Sequence, residues 1–299
     1  SLALVGEFSP AKARGKLLGL TQVAWYIGPV VVSLLAFALA PLDLLGIRLV
    51  FLQLFLVALV TWALRRGMTE SAVWREAARK AAESGGQQRY GVRALFSGRH
   101  LRAMLWTGTI YLFWNLAAGT SGIFTPYMVK TLGAGGQAVS VALSCAGFAI
   151  GVVATLLLFM PYSDRAHAVR RRMWAIGGVM QVVAYGLFLF FPFTVATVFL
   201  NVALFSIGGA LAGEAFYKVF SQELFPTMLR GTAQGFTFGT ARVVLGLWSL
   251  FVPVLADTGI TPVAALLTLF LAISGLVGFL FMPDTAGKSL ARLEEERAV

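Results

Sequence analysis

Eight long apolar stretches place the strongest limit on what this chain can fold into. A helix needs about 20 residues to cross the hydrocarbon core of a bilayer, and each stretch reaches or approaches that length. The stretches lie near residues 17–40, 46–64, 104–127, 138–160, 174–191, 194–218, 232–255 and 261–282. Because 58% of the residues are hydrophobic and only 12% are charged, the composition does not fit a soluble domain. The sequence therefore predicts an all-α membrane protein that lies in a lipid bilayer.

The basic residues between these stretches indicate which side of the membrane each connection occupies, because Lys and Arg collect in cytoplasmic loops. If the N-terminal segment is cytoplasmic, 21 of these residues fall on the cytoplasmic side, and only Arg48 and Lys130 fall outside. The pattern predicts a multi-pass protein of the cytoplasmic membrane with both termini of this chain cytoplasmic. Since the net charge of +11 is spread over successive loops, it does not indicate a nucleic-acid partner.

A short motif occurs twice, 216 positions apart, and each copy opens a long apolar stretch. The shared residues are Glu7, Pro10, Arg14, Gly15 and Gly19 in the first copy and Glu223, Pro226, Arg230, Gly231 and Gly235 in the second. A second pair of similar segments, MTES and MPDT, closes comparable two-span stretches before a charged segment. Parallel repeats of hydrophobic spans are typical of a membrane transporter with two halves.

The repeat also predicts how the chain is divided. In the second half, four apolar stretches separate Leu101 from Glu223, whereas only six residues precede Glu7. If the halves match, about four further spans lie upstream of Ser1. The predicted parts are two spans of an N-terminal bundle in 1–64, a cytoplasmic linker in 65–102, a six-span C-terminal bundle in 103–282 and a cytoplasmic tail in 283–299.

Four segments, taken in order, resemble the major facilitator superfamily and, within it, the sugar porters. After its sixth span that family reads Pro-Glu-Ser-Pro-Arg-Trp, and residues 69–74 read TESAVW. After the twelfth span it reads Pro-Glu-Thr-Lys-Gly-Arg-Ser-Leu, and residues 283–290 read PDTAGKSL. The two Glu-x-x-Pro-x-x-x-Arg-Gly copies are similar to the family motif that follows spans four and ten. The string that begins GEAFYKVFSQELFP resembles a bacterial branch of inositol-like or sugar transporters.

This resemblance implies spans five to twelve of a twelve-span helical bundle of the superfamily. It also implies secondary active transport of a sugar or polyol by alternating access, with protons as the coupling ion. The alternatives are an organic-anion or carboxylate symporter, if Arg242 faces the cavity, and a drug exporter, if the cavity is apolar. A solute-sensing membrane receptor is an alternative of a different class.

The seventh span departs from the sugar-porter pattern. Sugar porters carry Gln-Gln and a following Gly-Ile-Asn there, whereas this span reads YLFWNLAAGTSGIFTPYM, with a single amide side chain. A polar or aromatic side chain in a span can contact the substrate, or it can only pack against other helices. Both interpretations stay open for the residues named next. The residues expected to bind substrate are Tyr111, Trp114, Asn115, Gln22, Trp25 and Arg242.

Three ionisable residues fall inside the predicted spans. Glu214 lies about 13 Å along a helix from Glu223, and Arg242 lies about 18 Å from Arg230. Lys218 is one turn from Glu214 and can pair with it. An ionisable residue inside a membrane costs at least about 2.5 kcal/mol and normally faces a cavity or a partner. We expect Glu214 and Lys218 to couple transport to protons, and the alternative is an ion pair that only fixes helix packing.

Charged residues near the cytoplasmic ends of the helices are expected to form ion pairs that latch the halves in one state. The candidates from the repeated motif are Glu7, Arg14, Glu223 and Arg230. Asp164 and Arg165 join them because their loop resembles a degenerate copy of the superfamily's Gly-x-x-x-Asp-Arg-x-Gly-Arg-Arg motif. For the run from Arg170 to Arg172 we expect only cytoplasmic surface charge.

Enzyme, metal and cofactor motifs are not evident in the sequence. The segment AGKS at 286–289 lacks the upstream glycine of a phosphate-binding loop, because position 282 is Met. His100 and His167 are lone loop residues, and the single Cys145 sits in an apolar span and is expected to pack. We therefore expect no catalytic residues, no metal and no cofactor.

Overall fold

Helices follow one another along nearly all of the chain. The computed structural model describes residues 2–67, 71–83, 92–131, 133, 135–290 and 292–293. The helices in these residues are α1 (Leu2–Phe8), α2 (Arg14–Leu39), α3 (Asp43–Arg65), α4 (Ala72–Glu83), α5 (Val92–Leu95), α6 (Gly98–Thr131), α7 (Gln137–Ala154), α8 (His167–Phe190), α9 (Val195–Ala212), α10 (Glu214–Glu223), α11 (Thr227–Ala256) and α12 (Ile260–Leu280). A 3₁₀ turn at Ala40–Leu42 joins α2 to α3, and a π-helical segment at Thr155–Phe159 extends α7.

Each predicted span falls on one of these helical stretches. Six stretches of the described residues are long and apolar enough to cross a membrane, and one of them, Arg14–Arg65, contains both α2 and α3. The 34-residue helix α6 is not among the six, because Thr, Tyr, Trp and Asn side chains along it lower its hydropathy. Polar side chains on a spanning helix usually face the protein interior.

The helices of the second half pack closely around two clusters of buried hydrophobic side chains, both of which contain several aromatic rings. Helix α8 packs between α9 and α12, and α6 packs against α11 and α12. Small residues allow these approaches: a Cβ on Gly278 of α12 would lie 2.2 Å from the Trp174 ring of α8. The Trp174 indole also donates a 3.0 Å hydrogen bond to the Gly275 carbonyl. Such close contacts matter in lipid because the hydrophobic effect does not drive helices together there.

The predicted span 194–218 is interrupted in the structure. Helix α9 ends at Ala212, Gly213 takes φ −139° and ψ −144°, and α10 begins at Glu214. A Cβ on Gly213 would lie 2.4 Å from the Gly209 carbonyl oxygen, so only glycine fits the break. The break places the Glu214 carboxylate in the first turn of α10, where the helix dipole favours negative charge.

Helix α3 and the helices of the predicted linker complete the described chain. Large apolar side chains are exposed along α3, as expected of a surface covered by acyl chains. The predicted linker, 65–102, contains α4 and α5, but its residues 68–70 and 84–91 lie outside the described residues, as do residues 294–299 of the predicted tail.

Candidate functional site

The two copies of the repeated motif exchange their ion pairs. Arg14 Nη1 of the first copy lies 3.2 Å from Glu223 Oε1 of the second. Arg230 Nη1 of the second copy lies 3.8 Å from Glu7 Oε1 of the first. All four side chains are buried. Each arginine therefore contacts the glutamate of the other repeat, and the two pairs together tie α1 and α2 to α10 and α11.

Among the described residues, Glu223 has more partners than Glu7 and lies at the centre of a cluster of buried polar side chains. Arg170 of α8 donates to both carboxylate oxygens, at 2.8 and 3.4 Å, and Thr285 donates to one of them at 2.6 Å. Arg170 is 1% exposed, and its Nε donates to the Ser163 carbonyl at 2.6 Å. The expectation of surface charge was therefore wrong for Arg170, because its guanidinium is needed to neutralise a buried carboxylate.

Glu7 is bonded in a way that parallels Glu223. The Ser71 hydroxyl donates to Glu7 and also accepts a 3.0 Å bond from the Trp74 backbone at the start of α4. Ser71 closes the MTES segment, just as Thr285 closes the MPDT segment. Both repeats thus end in a buried hydroxyl that contacts the buried glutamate.

The degenerate loop motif contributes one carboxylate, that of Asp164, close to the Arg14 ion pair. Asp164 accepts hydrogen bonds from the backbone N–H groups of Gly15 at 2.6 Å and Lys16 at 3.0 Å, at the beginning of α2. A carboxylate there complements the helix dipole and its free N–H groups. Arg165 is exposed and lies over the Tyr162 ring at 4.7 Å, away from these pairs.

A cavity of about 390 Å³ lies between α2, α6, α7 and α9. Its lining combines aromatic rings with hydroxyl groups, and none of the described residues that line it is charged. The rings are those of Trp25, Tyr26, Trp114, Phe148 and Phe205, and the hydroxyls are those of Ser33, Ser121, Thr125, Ser144 and Ser206. The buried Trp114 Nε1 has no hydrogen-bond partner among the described residues. An aromatic wall with several hydroxyls suits a small uncharged ligand.

Two of the expected substrate residues, Trp25 and Trp114, line this cavity. The other four do not line it. Asn115 is buried, and its Oδ1 has no hydrogen-bond partner among the described residues. Tyr111 stacks on Tyr217 with ring centroids 4.2 Å apart.

Arg242 and Gln22 complete the set of expected substrate residues. Arg242 is exposed on α11, and its charge acts on the Tyr111 hydroxyl. Gln22 lies one turn before Tyr26 on α2 and is 1% exposed.

The three ionisable residues of the spans separate into a pair and a single cation. Lys218 Nζ lies 3.3 Å from Glu214 Oε1, so the predicted pair one helical turn apart is present. The same ammonium group donates a 2.6 Å hydrogen bond to Gln22 Oε1. Tyr26, which lines the cavity, interacts with Gln22 and with the charge of Glu214. The buried charge pair is therefore next to the cavity wall.

The break between α9 and α10 has a signal in the sequence, whereas the exchange of ion pairs has none. The Gly213-Glu214 step in the middle of an apolar span is consistent with a broken helix, since glycine is a weak helix former. The exchange of ion-pair partners between Glu7 and Arg14 and their counterparts in the second copy could not be predicted from a single sequence. Spacing within a copy does not tell which half supplies the partner.

An all-α bundle with internally repeated halves, a broken helix and a cavity at the junction of the repeats defines a secondary transporter of the membrane. The family model described as Major Facilitator Superfamily matches residues 1–250, and the chain belongs to that superfamily. The protein is therefore a multi-pass membrane transporter and not an enzyme.

The minor myo-inositol transporter IolF of Bacillus subtilis (strain 168) is 33% identical over 301 residues, which are 99% of this chain and 68% of IolF. A probable 4-methylmuconolactone transporter of Cupriavidus pinatubonensis (strain JMP 134 / LMG 1197) is 24% identical over 310 residues, with 99% and 68% covered. Among solved structures, the proton:xylose symporter XylE bound to 6-bromo-6-deoxy-D-glucose superposes with a TM-score of 0.79 at 19% identity, with 99% of this chain and 70% of XylE covered. The chain thus spans about two thirds of the length of these relatives.

Proposed function

We propose that this protein moves an uncharged sugar or polyol together with protons across the cytoplasmic membrane by alternating access. The observation that carries the proposal is the uncharged cavity with its aromatic and hydroxyl lining, whose Tyr26 is within electrostatic range of the buried Glu214–Lys218 pair. The 33% identity to a myo-inositol transporter and the fold shared with a proton:xylose symporter support the same substrate class.

The cavity favours a neutral polyhydroxyl substrate over an organic anion. Its 390 Å³ volume lies within the usual range of small-molecule sites. Ser121, Ser144 and Ser206 offer hydroxyls for directional bonds, while Trp25 and Trp114 offer flat apolar faces for a sugar or cyclitol ring. A carboxylate would need a cation in the lining to offset its desolvation, and the described lining supplies none.

We assign the coupling proton to Glu214. Glu214 is 4% exposed, and it is the first residue of α10, in the middle of a predicted span. Its carboxylate has one cationic partner, Lys218, among the described residues. A buried carboxylate that gains or loses a proton changes the charge of its site by one unit. Such a change can bias two conformations only if they differ in how well they hold that charge.

The exchanged ion pairs form the cytoplasmic latch of this mechanism. Arg14–Glu223 and Glu7–Arg230 join the two repeats on the side where the basic loops lie, and Asp164 caps α2 on the same face. In this structure the helix ends on that side are tied together. We propose that the pairs separate when the transporter opens toward the cytoplasm, with both termini of this chain on that side.

Uptake by the full natural chain in proteoliposomes tests this proposal. The panel is labelled myo-inositol, xylose, glucose and a small carboxylate, each measured with and without an inward proton gradient. We expect saturable uptake of one of the first three, raised by the gradient. Uptake of the carboxylate alone, or binding without flux, would refute it.

A matched pair of variants then tests the cavity. Trp114→Phe removes the Nε1 donor that lacks a partner and should raise KM. Trp62→Phe changes an exposed tryptophan of α3 and should leave KM unchanged. An equal effect of both would show that Trp114 does not contact the substrate.

A further inference from the structure

The Lys218–Gln22 hydrogen bond joins the two repeats inside the membrane, apart from the cytoplasmic latch. Gln22 is on α2, about 12 Å further into the membrane than Arg14, and Lys218 is on α10, about 7 Å further than Glu223. The bond is 2.6 Å long, and both side chains are at least 95% buried. It therefore lies between the latch and the cavity, whose wall on α2 begins about one turn later at Trp25 and Tyr26.

Lys218 needs Glu214 in order to stay at this position. Burying an ammonium group costs several kcal/mol unless a counter-charge accompanies it. In the described residues, the Glu214 carboxylate pairs with Lys218, and its charge acts on the hydroxyls of Tyr217 of its own helix, Tyr26 of α2 and Tyr111 of α6. Arg242 of α11 acts on Tyr111 but makes no ion pair with Glu214. Among the residues that the structure describes, Lys218 is thus the one cation paired with Glu214.

We propose that Gln22 is a coupling residue that holds Lys218 and closes the path from the cavity to the cytoplasm while Glu214 is ionised. This inference rests on the proposed proton symport. When Glu214 binds a proton, the charge of the pair changes from zero to plus one, and the ammonium group loses its counter-ion. Lys218 then leaves the dry site toward water, its bond to Gln22 breaks, and the repeats are free to separate. Loss of the proton restores the bond.

The proposal predicts a particular failure for Gln22→Leu. Without an acceptor on α2, the inner closure no longer depends on the proton, so substrate leaks back down its gradient. One pH unit supports about tenfold accumulation in a one-to-one symporter, since it is worth 1.36 kcal/mol. We expect the wild type to approach that ratio and Gln22→Leu to fall below twofold, with downhill uptake and the substrate Kd unchanged. Gln53→Leu, an amide replacement on α3, is the matched control and should keep the wild-type ratio.

A second variant separates coupling from simple loss of structure. Gln22→Glu keeps an oxygen acceptor but adds a charge that holds Lys218 whether or not Glu214 is protonated. We expect this variant to bind substrate with wild-type Kd and to lose downhill uptake as well as accumulation. The opposite transport defects of the two variants, with unchanged binding, would not arise from misfolding.

The outcomes separate this inference from the proposed function. If the wild type fails to accumulate any sugar or polyol, the proposed function is wrong. If the wild type accumulates substrate and Gln22→Leu does so equally well, the inference alone is wrong. If Gln22→Leu raises the substrate Kd tenfold while keeping the accumulation ratio, Gln22 is a substrate contact and the coupling role is refuted.

Discussion

Replacing Glu223 by Gln should open the cytoplasmic latch. The substitution keeps the size of the side chain but removes the charge that neutralises Arg14 and Arg170, both of which are at most 2% exposed. Removing one partner of a buried pair typically costs about 3–5 kcal/mol. The protein can avoid this cost by separating its halves, which lets water reach both guanidinium groups. At the lower value, the opening equilibrium shifts about 10²-fold toward the open form.

The amides of Gly15 and Lys16 provide the readout. They donate to Asp164 across the junction of the repeats, so they are protected only while the latch is closed. Hydrogen–deuterium exchange of the protein in lipid nanodiscs should show their protection factors falling about 10²-fold in Glu223→Gln. The repeat supplies the matched control. Glu7→Gln removes one ion pair of 3.8 Å and should lower protection much less.

Two results would refute this reasoning. Protection of both amides within threefold of the wild type in Glu223→Gln would mean that the cluster does not hold the cytoplasmic ends together. Equal loss of protection in Glu7→Gln and Glu223→Gln would mean that a carboxylate's contribution to holding the latch closed does not depend on how many partners surround it. Added salt should not reproduce the effect, because buried pairs are screened only weakly.

Three further outcomes follow from the structure. Glu214→Gln should insert normally but abolish proton-driven accumulation in proteoliposomes, and normal accumulation would remove Glu214 from the coupling mechanism. Gly278→Ala should lower the Tm in detergent by an amount equivalent to about 1–3 kcal/mol, because the new Cβ meets the Trp174 ring, whereas Gly246→Ala, with open space at its Cβ, should not. Arg242→Gln should leave the preference for neutral substrates unchanged in competition assays, and a new preference would show that Arg242 faces the substrate.

The sequence predicts the helices of this protein better than it predicts their internal breaks. Hydrophobic length locates each spanning segment, because an apolar stretch of about 20 residues has few other stable arrangements. It does not locate the break at Gly213, where a Cβ would meet the Gly209 carbonyl oxygen of the preceding turn and the Trp114 ring of α6. The contact with Trp114 comes from packing against a residue distant in the sequence.

The sequence likewise predicts one part of the candidate site and not the rest. The Glu214–Lys218 pair is present because a separation of one helical turn fixes their distance in advance. The place of Asn115 outside the cavity lining depends on how α6 is rotated against α11 and α12, and no local pattern encodes that rotation. Arg170 was misjudged for a related reason, since its carboxylate partner is 53 positions away.

The exchange of glutamate and arginine between the repeats has a consequence for assembly. When residue i of one unit pairs with residue j of another and the reverse pair also forms, the contact has the pattern of a two-fold symmetric, isologous interface. Either half taken alone loses the ion partner that the other half supplies to its glutamate and to its arginine, so each half selects the other as its complement. A chain cut within the linker between α4 and α5 is therefore expected to reassociate from its two fragments in the membrane, as a dimer of separate subunits would.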